Sequence, residues 1–306
     1  MPRLFPRLLA PILLGGALLA PAPVFAQTKA YEIQPSNLDG GIHNFDAPNL
    51  VIPNRSVPGA PLVVFLTGTG GKPTGTANFL KFIASQGYAV IALEYDDEPA
   101  VSQTCPQNPD PDCSEAFRRM RIDGVSDGPG TSPVTNSPNE TIDARLATLL
   151  RFLTQDKPGE GWDYYLDGDN IRWERIVVSG LSQGAGMAAY IAKHHQVARV
   201  VLFSSPWDVT GPTHAPAPWL SLPSATPMDR WFAEYHAREL TAGLIRNAYT
   251  ALQIPADHIR VFSHDLPSDF HGNSPNPFHV NTIRDERYAP DWKIMFGKPM
   301  PDGTAQ

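Results

Sequence analysis

Ser182 stands in the run "RIVVSGLSQGAGMAAYIAKHH", residues 175–195, between Gly180 and Gly184. A serine hydroxyl becomes a nucleophile only with a base to take its proton, a group to orient that base, and donors for the oxyanion that forms. By composition alone a G-x-S-x-G is expected about 0.1 times in a chain this long, so the letters need context. The context is a β-branched stretch, "IVVS", followed by an alanine-rich helical pattern, which predicts a sharp strand-to-helix turn with the serine at its apex. Residues flanking such a serine must be tiny, which accounts for Gly180 and Gly184, and Ala185 and Gly186 ease the helix against the sheet. The plainer reading is a glycine-rich turn with an ordinary helix-capping serine.

The first oxyanion donor expected is the backbone N–H of Gln183, at the start of that helix. The second comes from the loop after the third strand, "LTGTGGKP", where Thr69 is the chosen residue and Gly70 the next. The same loop does not make a phosphate-binding G-x-x-x-x-G-K-[ST], because the earlier glycine is missing and Pro73 follows Lys72.

The elements that must hold these residues alternate along the chain. "PLVVFLTG" and "YAVIALEYD" read as buried strands around a helix, "TANFLKFIASQG", that ends at Gly87. An excursion over 97–140 precedes the helix "TIDARLATLLRFLTQ", whose Ile142, Leu146, Leu149, Leu150 and Leu153 recur at helical spacing. Then follow the strand "RIVVSG", its helix, the strands "ARVVLFSSP" and "DRWFAEYH", the helix "LTAGLIRNAYTALQI", the strand "HIRVFSH" and a last amphipathic segment, "HVNTIRDERYAPDWKIMFG". Residues 30–60 supply one or two antiparallel edge strands. This pattern predicts an α/β fold, a mostly parallel central sheet with helices on both faces, in one domain over 27–306.

The N-terminal "MPRLFPRLLAPILLGGALLAPAPVFAQ" has two arginines, a broken apolar run and Ala26 before Gln27, the layout of a cleaved secretory signal over 1–26. The expected location is therefore periplasmic or secreted, with no membrane anchor after cleavage. The formal net charge is -7; loss of Arg3 and Arg7 takes it to about -9, which argues against nucleic-acid and anionic-membrane partners. Cys105 and Cys113, the only cysteines, bracket "PQNPDPD" and are expected to pair in an oxidising compartment.

From about residue 60 onward the chain resembles the α/β-hydrolases and, among them, a little-characterised exported bacterial group. The residues that carry the likeness are "FLTGTGGKP", the cysteines after "LEYDD", "TIDARLATLLRFL", "WERIVVSGLSQGAGMAAYIAKHHQVARVVLFSSPWD" and "RWFAEYHARE". Leu181 and Ala185 depart from the His and Gly frequent around such serines, and Thr67 from the frequent His before Gly68. These changes alter the nearby pocket and spare the serine and its backbone donors.

The resemblance implies the chain order serine, acid, histidine, with the acid after the seventh strand and the base after the eighth. His264, His271 and His279 are the candidates; His264 sits at the strand's end, too early unless the loop doubles back, and the family pattern of a histidine just ahead of the last helix falls on His279, with His271 the alternative. Glu239, just past "RWFAEYH", takes the place where the family usually has Asp, and Asp208, after the sixth strand, is the alternative acid. Asp163, Asp167, Gly168, Ile171 and Glu174 mimic part of a calcium loop. Tyr165 fails that pattern and a strand follows it, so no metal is expected.

The function implied is a serine carboxylic ester hydrolase acting through an acyl-enzyme with no cofactor, on a small-molecule or polymeric ester. The alternatives are an amidase or peptidase with the same triad, and a non-catalytic secreted binding protein. Trp207, Trp219 and Trp231, in or beside the loop after the sixth strand, either offer an aromatic surface to substrate or pack that loop.

Overall fold

The computed structural model describes residue 1 and residues 29–54, 57–211, 213–268, 270–271 and 274–306; the expected signal segment lies outside them apart from Met1. Short runs of Val, Ile, Leu and Phe form strands buried on both faces, as a helix-covered parallel sheet requires. In chain order the elements are β1 (Tyr31–Ile33), β2 (Asn49–Ile52), β3 (Leu62–Leu66), α1 (Ala77–Ser85), β4 (Ala89–Leu93), α2 (Val101–Thr104), α3 (Cys113–Ile122) and α4 (Ile142–Asp156). A small hairpin, β5 (Leu166–Asp167) and β6 (Asn170–Ile171), precedes β7 (Ile176–Leu181), α5 (Gln183–His194) and β8 (Arg199–Phe203). The chain closes with β9 (Trp231–His236), α6 (Ala242–Leu252), β10 (Ile259–Phe262), α7 (Pro277–Asn281) and α8 (Ala289–Phe296).

The sheet order is β1-β2-β4-β3-β7-β8-β9-β10. β1 and β2 are the antiparallel edge expected over 30–60, and every pairing from β4 onward is parallel. One apolar layer packs α3, α4, α5 and α6 on one face through residues such as Phe117, Leu149, Ile191 and Ile245. The other joins α1 and α8 through Phe79, Trp292 and Phe296, whose rings meet edge-on or tilted. Among the described residues no helix is long and apolar enough to cross a membrane.

Two expectations change. The excursion 97–140 contains a ten-residue helix, α3, which starts at the second cysteine of the Cys105–Cys113 disulfide. The last amphipathic segment is two helices, because Pro290, lacking an N–H, sits in the first turn of α8 and closes off any continuous helix from α7.

Candidate functional site

The carboxyl ends of the parallel strands collect the residues singled out above. β7 passes into α5 through Ser182 alone, whose backbone sits at φ 56°, ψ -122°. A non-glycine residue there is strained by roughly 1–3 kcal/mol, and the surroundings hold it: the Ser182 N–H donates to the Phe203 carbonyl at 2.9 Å and its carbonyl accepts from Gly186 at 3.2 Å. The flanking glycines are steric necessities. A Cβ on Gly180 would lie 2.4 Å from the Gly184 carbonyl carbon, and one on Gly184 would lie 2.0 Å from the Leu66 oxygen. Gly186 has a different reason from the one expected. Its missing Cβ makes room for the Arg118 guanidinium, which would stand 2.3 Å away, so the glycine serves α3 instead of the sheet.

The turn after β3 faces the serine. A Cβ on Gly68 would come within 3.0 Å of Ser182 Cβ. The buried Tyr95 hydroxyl donates to the Thr67 carbonyl at 2.8 Å, and Gly71 N–H donates to Gly68 at 2.8 Å, fixing the loop. Gly70, at φ 69°, gives its N–H to the buried Asp97 carboxyl, and of the two residues Thr69 is the one that lines the serine's cleft. Thr69 and Gln183 both line a narrow cleft with Ser182, and Gln183, as the first residue of α5, has no acceptor for its N–H within the helix.

Glu239 lies three residues beyond β9 and is buried. Its Oε2 meets His279 Nδ1 at 2.7 Å, and its Oε1 accepts from His236 N–H at 2.8 Å and from Ser204 Oγ at 3.1 Å. A ring whose Nδ1 donates to a carboxylate keeps its lone pair on Nε2, the tautomer a base needs. Trp207 lines the serine's cleft and packs edge-on against the His279 ring, with centroids 5.4 Å apart, so imidazole and serine share one wall.

Glu234, inside β9, escaped the sequence reading. It is fully buried, and burial followed by the Glu239 charge pushes its carboxyl well above the usual range. Ser204 Oγ lies 3.4 Å from Glu234 Oε1 and 3.1 Å from Glu239 Oε1, linking the two. The only signal was a glutamate in an otherwise apolar strand pattern.

The alternatives find other partners. Asp208 takes Arg118 Nε at 2.7 Å and Nη2 at 2.5 Å, and Trp219 Nε1 at 2.9 Å, so its oxygens serve a buried ion pair. His271 is exposed, as is His264, whose backbone N–H and carbonyl bond Tyr288 and His236. Trp219 and Trp231 are core residues, and of the three tryptophans only Trp207 lines the cleft. The pseudo-calcium segment folds as the β5–β6 hairpin, and no group of three or more metal-ligating residues occurs among the described residues.

A serine at a strained turn after the fifth strand of the main sheet, in the order 1-2-4-3-5-6-7-8 with its second strand antiparallel, defines the α/β-hydrolase fold, and this chain has it. No protein-family model and no curated protein matches the sequence. Among solved structures the chain is similar to a putative dienelactone hydrolase from Klebsiella pneumoniae (15% identity, TM-score 0.44, 88% of this chain and 96% of that one). It is also similar to an esterase from Pyrococcus furiosus (14%, TM-score 0.46, 88% and 89%) and to an esterase from Thermogutta terrifontis (14%, TM-score 0.44, 89% and 96%).

Proposed function

We propose that the protein is an exported serine carboxylic ester hydrolase. The observation that carries the reading is a serine at a strained, glycine-flanked turn after β7 together with a buried Glu239–His279 couple after β9 and β10, all beyond the carboxyl ends of the parallel strands. Ser182 Oγ attacks the ester carbonyl while His279 takes its proton and returns it to the departing alcohol. Glu239 holds the ring's tautomer, and the Gln183 and Thr69 N–H groups receive the oxyanion. Water, deprotonated by His279, then attacks the acyl-serine, releasing the acid and restoring the hydroxyl. Export is supported by the signal-like 1–26 segment and by the Cys105–Cys113 disulfide.

Labelling with a fluorophosphonate probe tests this directly. Wild type is expected to label and to hydrolyse p-nitrophenyl acetate or butyrate but not matched anilides. Ser182→Ala should lose both activities, with kcat falling at least about 10³-fold, and Glu239→Gln should lose roughly 10²–10⁴-fold. Asp208→Asn should still label. Absence of labelling in folded wild type would refute the enzyme reading in favour of a binding protein, and anilide cleavage would turn it to an amidase.

A further inference from the structure

The turn after β3 is held by one stretch of chain, residues 94–101, which leaves the neighbouring parallel strand β4 at the same end of the sheet. Gly68 accepts from the Gly71 N–H at 2.8 Å, so Thr69 and Gly70 are the corners of a four-residue turn, and Gly70 has the left-handed φ, 69°, that favours glycine at the third position of such a turn. The Thr69 N–H belongs to the peptide between Gly68 and Thr69, and the peptides on either side of it are both tied to this stretch. The carbonyl of the Thr67–Gly68 peptide accepts the Tyr95 hydroxyl at 2.8 Å, and the N–H of the Thr69–Gly70 peptide donates to the Asp97 carboxyl. Tyr95 and Asp97 are both buried, so water competes little for either bond. The middle peptide cannot rotate unless its pinned neighbours turn with it. The stretch is itself anchored, because the buried Arg121 of α3 pairs with Asp96 and gives Nη2 to the Glu98 carbonyl at 2.7 Å. Its far end reaches the residue that carries the other donor, where the Val101 N–H meets Gln183 Oε1 at 3.2 Å. An oxyanion site is effective because its donors are fixed before the charge develops.

Building on the esterase reading, we infer that Tyr95 and Asp97 are positioning residues of the oxyanion site, which aim the Thr69 N–H by pinning the peptides on either side of it. Neither acts on the substrate directly, so their loss shows in turnover and spares substrate binding.

The test is hydrolysis of p-nitrophenyl butyrate by Tyr95→Phe, Asp97→Ala and Asp97→Asn, with turnover divided by the fraction of chains that a fluorophosphonate probe labels at completion, so that misfolded protein is not counted. Tyr95→Phe and Asp97→Ala should each lower kcat per labelled site by about tenfold, part of the roughly 10²–10³-fold that loss of a whole oxyanion donor costs, with KM within about twofold of wild type. Asp97→Asn, which keeps an acceptor for the Gly70 N–H, should recover most of the turnover lost in Asp97→Ala. A kcat per labelled site within about twofold of wild type in both Tyr95→Phe and Asp97→Ala, or an Asp97→Asn no faster than Asp97→Ala, overturns the proposal and leaves the esterase reading intact. Folded wild type that neither labels nor turns over the ester defeats the esterase reading itself, and the positioning roles with it.

Discussion

At the scale of single residues, the turn at Ser182 is decided by what cannot be there. Gly184 has the Leu66 oxygen 2.0 Å from where a Cβ would sit, and both atoms belong to the packed sheet–helix junction, so neither can yield cheaply. Gly184→Ala is expected to cost at least about 2–3 kcal/mol, seen as a lower melting temperature or failure to accumulate as soluble protein. Gly40→Ala, with nothing within 4 Å of the added carbon, serves as the control and should be near neutral. A Gly184→Ala protein as stable as wild type would contradict the geometry of the turn. Ser182, Gly180, Gly184 and Gln183 could be placed from the sequence because the turn's chemistry is local, written in neighbouring letters. The Gly186–Arg118 and Glu234–Ser204–Glu239 contacts could not, since each joins residues whose meeting depends on the finished sheet.

At the scale of elements, the central strands were legible because each is a buried apolar run, whereas α3 was not, for a physical reason. Its sequence, "CSEAFRRMRI", carries only a short stripe, Cys113, Ala116, Phe117 and Met120, among four charged residues, yet nearly all of it is buried. Its arginines enter the interior in company: Arg118 with Asp208, Arg119 with Glu115 at 3.7 Å, and Arg121 with Asp96. Patterning of apolar residues therefore missed a helix held by ion pairs and by the disulfide at its first residue. The loop closed between Cys105 and Cys113 is short, so removing the bond as Cys105→Ala with Cys113→Ala should cost roughly 2–3 kcal/mol. In a chain of this size that is a fall of roughly 3–5 °C in melting temperature, measurable by calorimetry against wild type. No change on losing the bond would mean that the ion pairs alone hold α3.

At the scale of the whole molecule, a buried acid under the turn after β3 ties global stability to pH. Burial, then the neighbouring Glu94, pushes Asp97 up to about 7, against the lowering influence of the Gly70 N–H and Lys72. The folded state therefore binds a proton that the unfolded chain, titrating near 3.8, has already released, so this group's contribution falls as pH rises from about 4 to about 7. Asp97→Asn keeps the acceptor for Gly70 without the charge, and it should raise the melting temperature more at pH 8 than at pH 5. Equal shifts at the two pH values would show that Asp97 is not protonated in the fold. The mostly parallel sheet followed from the alternation of strand and helix patterns, whereas its strand order is set by which strands meet in the finished fold. The glycine at 186 has a further consequence for how such a chain can drift. A single added carbon there displaces the guanidinium of residue 118, and a shrunken residue 118 abandons the carboxylate of residue 208, so three positions spread across ninety residues can change only as one. Any lineage that leaves this combination must cross a destabilised intermediate, which makes the trio a lock on the sequence as much as a brace on the fold.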